Sequence, residues 1–137
     1  MRSQRPILLI EDDLVDIMTI KRALKDINVT NDVVSARNGE EALNYLQGSD
    51  NQAPSIILLD LNMPRMNGIE FLREAKNLEL LNRTPVVVLT TSKEERDRTE
   101  SFKLHVAGYM VKPVDYLQFV EVIRTIDSYW SLSELPS

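Results

Sequence analysis

The sequence contains no cysteine and a single histidine, His105. The lack of cysteine excludes disulfides, thiolate nucleophiles and thiolate metal sites. One histidine also excludes a multi-histidine metal site within one chain, and a Ser-His triad would have to be built on His105. That residue lies near the end of a polar helical segment, where an imidazole helps to satisfy the helix terminus. We therefore do not expect His105 to be catalytic.

Glycine, proline, positive charge and long apolar runs are also scarce. Four Gly and six Pro exclude a collagenous or low-complexity chain. The net charge is −5 and the basic residues are not clustered, so we expect no nucleic-acid binding. No run approaches the roughly 18 apolar residues of a membrane span, and residues 1–13 do not resemble a secretory signal. These features predict a cytoplasmic protein that does not bind membranes.

The chain instead contains short apolar runs that are typical of strands. Four of them are nearly continuous: Pro6–Ile10, Ser55–Asp60, Pro85–Thr90 and Gly108–Val111. Since strands that are buried on both faces show no polar alternation, these runs predict a parallel sheet. A weaker run, Asp32–Ala36, predicts an edge strand.

Helical periods separate the apolar runs. Apolar residues three or four positions apart mark the first and last helices (Ile17, Ile20, Leu24 and Ile27; Phe119, Val122, Ile123, Ile126 and Trp130). Asn38 is expected to cap the second helix, and a third helix is expected to begin at Asn67. The last stripe is interpreted as core rather than as a groove for a partner.

The fourth helix has a different character. Ser92–Glu95 matches a capping box, which predicts a helix from Glu94 to about His105. Its apolar face is thin, consisting of little more than Phe102 and Leu104. Because a helix that buries little is held weakly, we expect this helix to shift more easily than its neighbours.

Strand and helix thus alternate five times. This order predicts an α/β fold with right-handed crossovers: a single flavodoxin-like (βα)5 domain with a five-stranded parallel sheet of order 2-1-3-4-5 and helices on both faces. We find no internal repeat, linker or second domain. We therefore expect residues 1–137 to form one domain, with a core at about 6–127 and a short tail at 128–137.

Chemically active residues follow four of the predicted strands. Glu11 and Asp12 follow the first strand, Asp60 the third, Thr90 ends the fourth and Lys112 follows the fifth. Sites in open α/β sheets form at the carboxyl ends of the strands. Because the first and third strands are neighbours in the predicted order, the three carboxylates are expected to converge in one crevice.

Three converging carboxylates repel one another, so such a site raises a pKa or takes a cation. Oxygen ligands without Cys or His indicate Mg²⁺ or Ca²⁺, and Mg²⁺ commonly combines one or two carboxylates with a substrate phosphate. Asp60 could then act as a nucleophile and form an aspartyl phosphate. Lys112 would supply a positive charge and Thr90 a hydroxyl donor, which completes the groups that phosphoryl transfer requires.

Each residue also has a structural interpretation. Asp13 can serve as a helix cap, Thr90 as an ordinary strand-end residue and Lys112-Pro113 as a turn. Asp60 is harder to explain in this way, because an unpaired buried carboxylate is costly. Placement of all these groups at one edge of the sheet favours the functional interpretation.

Two other classes of protein remain as alternatives. A flavodoxin-type FMN carrier would need a phosphate-binding loop after the first strand, where this chain has the acids Glu11, Asp12 and Asp13. A haloacid-dehalogenase-like phosphatase also uses an Asp nucleophile with Mg²⁺. It would need an acid two residues after Asp60, where this chain has Asn62.

Taken together, these motifs resemble the receiver domains of bacterial two-component response regulators. The resemblance covers roughly Pro6 to Asp127 and includes four segments: the acidic pair 11–12, DLNMPRMNG at 60–68, VLT at 88–90 and YMVKP at 109–113. A degenerate receiver that only binds partners is disfavoured, because the matching site residues are all present. Glu11 replaces the commoner first Asp, which lengthens one arm of the metal site and keeps its charge.

The resemblance implies specific roles for these residues. A histidine kinase would phosphorylate Asp60. Mg²⁺ would be bound by Glu11, Asp12, Asp60 and the backbone carbonyl of Asn62. Thr90 and Lys112 would contact the phosphoryl group, and Tyr109 would change rotamer with Thr90 on activation, which reshapes the face of the fourth helix, fifth strand and fifth helix. The protein would be a phosphoacceptor that assists its own chemistry rather than an enzyme with turnover.

A narrower resemblance concerns the segments DLNMPRMNG, VVVLTTS and SYWSLSELP. They are similar to segments of stand-alone receivers paired with bacterial phytochrome histidine kinases. Members of that group can form homodimers through the last helices and strand. The alternative is a general stand-alone receiver or a phosphorelay intermediate.

Overall fold

The computed structural model describes residues 4–48 and 50–132. Five short strands form one sheet: β1 (Ile7–Ile10), β2 (Val33–Ala36), β3 (Ile56–Leu59), β4 (Val86–Thr90) and β5 (Gly108–Val111). They pair in parallel in the order β2-β1-β3-β4-β5. The predicted strand order is confirmed, and so is the edge position of β2.

Four helices connect the strands, and a fifth follows β5. They are α1 (Leu14–Asp26), α2 (Gly39–Gln47), α3 (Gly68–Asn77), α4 (Glu95–Lys103) and α5 (Tyr116–Leu132). No helix in the described part of the chain is long and apolar enough to cross a bilayer.

The sheet carries a separate hydrophobic core on each face. Ile7 and Leu9 of β1 pack in the core formed with α1 and α5, whereas Leu8 and Ile10 pack in the core formed with α2 and α3. Successive side chains of a strand point to opposite faces, so a strand in the middle of a two-sided sheet must be apolar throughout. This arrangement explains the continuous apolar runs in the sequence.

Polar side chains fix where three helices begin. The carboxylate of Asp13 accepts hydrogen bonds from the backbone N–H groups of Val15 and Asp16, and Asn38 caps α2 as predicted. Asn67 caps α3 through a capping box with Glu70. These caps satisfy backbone donors that the first turn of a helix leaves without partners.

The capping box predicted at Ser92–Glu95 is wrong. The N-cap of α4 is Glu94, which makes no side-chain cap hydrogen bond. The Ser92 hydroxyl instead donates to Oδ2 of Asp97 at 2.6 Å. The oxygen of that hydroxyl accepts a hydrogen bond from the N–H of Glu94 at 3.3 Å rather than from that of Glu95, so Ser92 lies in the loop before the helix, which begins two residues later than the box requires.

The apolar face of α4 is thinner than predicted. Ser101 is the one buried residue of this fully described helix, and Phe102 is 47% exposed. The chain leaves α4 through Leu104 and His105, which has a φ of 65°. Weak burial therefore distinguishes α4 from α1, α2 and α3, while the expectation that it shifts more easily stays a prediction.

The last helix extends beyond Asp127, where we placed the end of the core, and reaches Leu132. The reason is that Trp130 is 3% exposed and packs in the core with Ile123 and Ile126. The rest of the SYWSLSELP ending, residues 133–136, lies outside the described residues.

Candidate functional site

The three predicted acids converge at the carboxyl ends of β1 and β3. Glu11, Asp12 and Asp60 each offer a carboxylate oxygen, and these oxygens all lie within 4.8 Å of one another. The sheet register produces this meeting. Ile10 pairs with Leu59, and the N–H of Asp60 donates to the carbonyl of Ile10 at 3.0 Å. The two strands therefore end level with each other.

Two of these acids are buried. Glu11 is 1% exposed and Asp60 is 7% exposed, whereas Asp12 is partly exposed. Oδ1 of Asp60 is buried and makes no hydrogen bond to the described residues. A buried carboxylate oxygen without a partner is costly unless a cation or a donor binds it. The oxygen-only donor set with this orphaned acceptor suits a hard divalent cation.

Lys112 lies at the same cluster, as predicted. Its Nζ is 2.5 Å from Oε1 of Glu11, 2.8 Å from Oδ2 of Asp16 and 3.9 Å from Oδ2 of Asp60. Its side chain is buried, so the ammonium is held by carboxylates rather than by water. Asp16 was not predicted at this site.

The environment shifts the pKa of both Glu11 and Lys112. Burial raises the pKa of Glu11 from its ordinary 4.5 to about 7, and the charge of Asp60 adds to this, while Lys112 opposes it. For Lys112, burial disfavours the charged form, but hydrogen bonds to Asp16 and Glu11 outweigh burial and raise its pKa. The cluster carries more negative charge than one ammonium neutralises.

Glu11 is expected to make stability depend on pH when divalent ions are removed. The folded protein takes up a proton on Glu11 near its raised pKa of about 7, whereas the unfolded chain does so near 4.5. Between these values the folded state binds more protons, so this contribution to stability rises as the pH falls from about 7 and is lost as the pH rises again.

Urea unfolding in EDTA at about pH 5 and about pH 8 tests this expectation, with Glu11→Gln as the comparison. The increase in unfolding free energy from about pH 8 to about pH 5 should be larger for the wild type than for Glu11→Gln. If both proteins gave parallel pH dependences, the raised pKa of Glu11 would be refuted.

Thr90 ends β4 next to the cluster. It is fully buried, and its Oγ1 accepts a hydrogen bond from the N–H of Ser92 at 3.3 Å. The N–H of Lys112 donates to the carbonyl of Thr90 at 2.7 Å, which ties the ends of β4 and β5 together.

Tyr109 lies on β5 and reaches the β4–α4 loop. Its hydroxyl donates to the carbonyl of Ser92 at 3.0 Å, and the guanidinium carbon of Arg98 lies 5.6 Å from its ring centroid. Burial raises the pKa of Tyr109. Ser92 thus contacts both residues of the predicted switch, Thr90 through its N–H and Tyr109 through its carbonyl.

The loop after Asp60 returns tightly to the acid cluster. Asn62 is exposed, and the N–H of Gly68 donates to the carbonyl of Leu61 at 3.0 Å. A Cβ at Gly68 would lie 2.6 Å from the carbonyl oxygen of Asp60 and 2.8 Å from Cα of Leu61. Glycine therefore allows α3 to begin directly against the backbone of the site.

The variant Gly68→Ala is expected to lose about 1–3 kcal/mol of unfolding free energy and to have a weaker affinity for divalent metal ions, because backbone around Asp60 must move. Gly108→Ala is the matched control, since a Cβ there meets Val87 at 3.8 Å, an ordinary contact. Thermal melts and metal titrations of both variants measure the two effects. Equal behaviour of the two variants would contradict the close approach at Gly68.

His105 lies away from the acid cluster. It lines a cavity of about 150 Å³ together with Lys76, Val86 and Leu104. Val86 begins β4, so this cavity lies at the amino end of the strand, opposite to the site.

The fold has an acid cluster, a threonine and a lysine at the carboxyl ends of its strands, which is the arrangement expected of a phosphoacceptor signalling domain. A flavin carrier would instead need a phosphate-binding loop after β1, where the acids lie. A family model described as the response regulator receiver domain matches residues 7–124, and the chain belongs to this family. The response regulator Rcp1 of Synechocystis sp. is 37% identical over 128 residues, which cover 90% of this chain and 87% of that protein.

Two solved structures extend the similarity. The phosphorylated cyanobacterial phytochrome response regulator RcpA has a TM-score of 0.90 and 40% identity, with 98% of this chain and 100% of that chain covered. The Mn²⁺-bound form of Rcp1 has a TM-score of 0.87 and 36% identity, with 97% and 99% covered. The chain is thus a receiver of the two-component type, similar to phytochrome response regulators, with an acid cluster suited to a divalent metal ion.

Proposed function

We propose that this receiver accepts a phosphoryl group on Asp60 in a Mg²⁺-dependent reaction. One observation carries the proposal. Oδ1 of Asp60 is buried without a hydrogen-bond partner among the described residues, in a pocket that also contains two further carboxylates and the Lys112 ammonium. A pocket of this kind is costly as a purely structural feature and suits a charged ligand.

The metal would be held by Glu11, Asp12, Asp60 and the backbone carbonyl of Asn62. Mg²⁺ is favoured over Ca²⁺ because it uses few carboxylates and keeps positions for water and a phosphate oxygen, whereas Ca²⁺ takes six to eight oxygen ligands. When bound, the ion supplies positive charge that offsets the charge on the transferred group.

In the transfer step, a carboxylate oxygen of Asp60 forms a bond to phosphorus. The bond between phosphorus and the donor breaks at the same time, and its electron pair stays with the donor, the imidazole nitrogen of a phosphohistidine. Lys112 is 3.9 Å from Asp60 Oδ2 and supplies a fixed positive charge beside the new group. The product is an aspartyl phosphate.

The aspartyl phosphate then biases the switch. It carries about −2 charge and new acceptor oxygens, which attract the Thr90 hydroxyl and the Lys112 ammonium. Rotation of Thr90 removes the Oγ1 acceptor from the N–H of Ser92, and Tyr109 turns inward. The β4–α4 loop and the α4–β5–α5 face move as a result, and the small buried area of α4 makes this movement inexpensive.

The donor in this proposal is a sensor histidine kinase of the bacterial phytochrome type. The support is similarity to Rcp1 and to the phytochrome response regulator RcpA over nearly the whole chain. Residues 1–137 would act as one receiver domain in the cytoplasm, without nucleic-acid or membrane binding, and would form homodimers through the α4–β5–α5 face. A general stand-alone receiver or a phosphorelay intermediate is the alternative for the pathway.

The test is phosphorylation by acetyl phosphate, followed by borohydride reduction of the acyl phosphate and peptide mapping. We expect one modified residue, Asp60, and no modification in EDTA. Modification at another residue, or a reaction that is independent of Mg²⁺, would refute the proposal. Sustained hydrolysis of a generic phosphate ester would favour a phosphatase instead.

The pathway has its own test, which is phosphotransfer from a panel of purified histidine kinases. Faster transfer from a phytochrome kinase than from the others is expected. Equal rates from all kinases would favour the alternative of a general receiver. Sedimentation before and after phosphorylation measures the proposed homodimer.

A further inference from the structure

The ion pair between Lys112 and Asp16 has no role in the reaction described so far. Asp16 lies in the first turn of α1, outside the cluster of three acids, and its side chain is 33% exposed. Its backbone N–H donates to Oδ1 of Asp13 at 3.1 Å, so the helix cap fixes its position. From there its carboxylate reaches Nζ of Lys112 at 2.8 Å.

The distances around Lys112 show which acids hold it. Glu11 and Asp16 both accept hydrogen bonds from the ammonium, whereas Oδ2 of Asp60 is 3.9 Å away and beyond hydrogen-bond distance. An ammonium has three N–H donors, and two of them are occupied in this way. Asp16 therefore draws the charge toward α1 and away from the acceptor residue.

We propose that Asp16 is a positioning residue that competes with phosphorylated Asp60 for the Lys112 ammonium. The inference rests on the proposed function of Asp60. A phosphoryl group adds negative charge and acceptor oxygens beside Lys112, so the ammonium moves toward it and its bond to Asp16 is lost. Because coupling between sites is reciprocal, a carboxylate at Asp16 weakens retention of the phosphoryl group to the same extent.

The competition also connects the site to a second surface. Asp16 and Lys112 both line a cavity of about 460 Å³ between α1 and the segment after β5, next to the exposed side chains of Val15 and Val114. Loss of the ion pair leaves an unpaired carboxylate in this cavity. Phosphorylation thus exposes a negative charge on the α1 side of the molecule, in addition to moving the α4–β5–α5 face.

The test is binding of beryllium fluoride, a phosphoryl mimic, in saturating Mg²⁺ by isothermal titration calorimetry. Asp16→Asn should bind it about fivefold more tightly than the wild type, which corresponds to about 1 kcal/mol for a partly exposed ion pair. Asp16→Glu restores the carboxylate and should return affinity to near the wild-type value. Tighter binding cannot result from damage to the fold.

Asp26→Asn is the matched control. Asp26 is also an acid of α1 and also has a partner from a distant part of the chain, since it accepts a hydrogen bond from the hydroxyl of Tyr116 at the start of α5 at 2.7 Å. Neither this hydrogen bond nor the ion pair of Asp26 within α1 involves Lys112. The affinity of Asp26→Asn for beryllium fluoride should equal that of the wild type. In the wild type, the chemical shifts of the Lys112 ε-methylene should change when beryllium fluoride binds. In Asp16→Asn without beryllium fluoride, these chemical shifts should already lie closer to those of the bound wild type.

Unchanged or weaker binding by Asp16→Asn, with normal binding by the wild type, would overturn this inference alone. An equal increase in the affinity of Asp26→Asn for beryllium fluoride would also overturn it, because the effect would then come from the net charge of the protein. A wild type that binds no beryllium fluoride would overturn the proposed function and this inference with it.

Discussion

Replacement of Asp60 by Asn is expected to abolish phosphorylation, with a loss of at least about a thousandfold in rate. The amide is nearly the same size as the carboxylate, but it is not a nucleophile and carries no charge for a cation. Oδ1 of Asp60 is a buried acceptor that finds no partner among the described residues. Both carboxylate oxygens of Glu11 accept hydrogen bonds, and Asp12 is partly exposed, so neither of the other acids in the pocket is placed in the same way. Phosphate-affinity electrophoresis after incubation with acetyl phosphate and Mg²⁺ measures the loss.

The stability of the same variant distinguishes lost chemistry from lost structure. Without divalent ions, Asp60→Asn should be more stable than the wild type by about 1–2 kcal/mol, because it removes repulsion between buried carboxylates. Asp50→Asn, at an exposed acid, is the control and should retain phosphorylation. A phosphorylated Asp60→Asn protein, or one that is less stable in EDTA, would contradict the assignment.

The second large effect is expected for Lys112→Met. The methionine fills a similar volume but removes the ammonium that is hydrogen-bonded to Glu11 and lies 3.9 Å from Asp60, two carboxylates that are almost fully buried. Removal of one partner from a buried ion pair leaves uncompensated charge and typically costs about 3–5 kcal/mol. We expect the unfolding free energy in EDTA to fall by about 3 kcal/mol, since protonation of Glu11 limits the loss.

Mg²⁺ should restore much of this stability, because a divalent cation supplies the missing positive charge. The restoration can be measured by urea unfolding with and without saturating Mg²⁺. Lys76→Met, at an exposed lysine of α3, is the control and should change stability by less than about 0.5 kcal/mol. If Lys112→Met were as stable as this control in EDTA, Lys112 would not be the counter-ion of the cluster.

The strand order and the meeting of the acids could be predicted because both follow from local patterns and one topological rule. Continuous apolar runs identify strands that are buried on both faces, and alternation with helices makes the sheet parallel. Once β1 and β3 are neighbours, residues that directly follow them must approach each other. The positions of Glu11, Asp12 and Asp60 therefore required no knowledge of side-chain conformation.

The sequence predictions were wrong or incomplete where a side chain has several possible hydrogen-bond partners. Ser92 followed by Glu95 matches a capping box, but Asp97 binds the serine hydroxyl in the structure. Asp16 was missed because an acid in the first turn of a helix already has an explanation in the helix dipole. Its contact with Lys112 joins residues 96 positions apart, which no local pattern reports.

The small buried area of α4 has a consequence for how this protein diverges. Most of its side chains, including those of Glu95, Arg96 and Arg98, are exposed, so substitutions there cost little folding energy. Mutation can therefore rewrite the charge pattern of this helix while the packing around Asp60 stays constant. New partners could be acquired through α4 without a new phosphorylation site, which is how one scaffold comes to serve separate pathways without cross-talk.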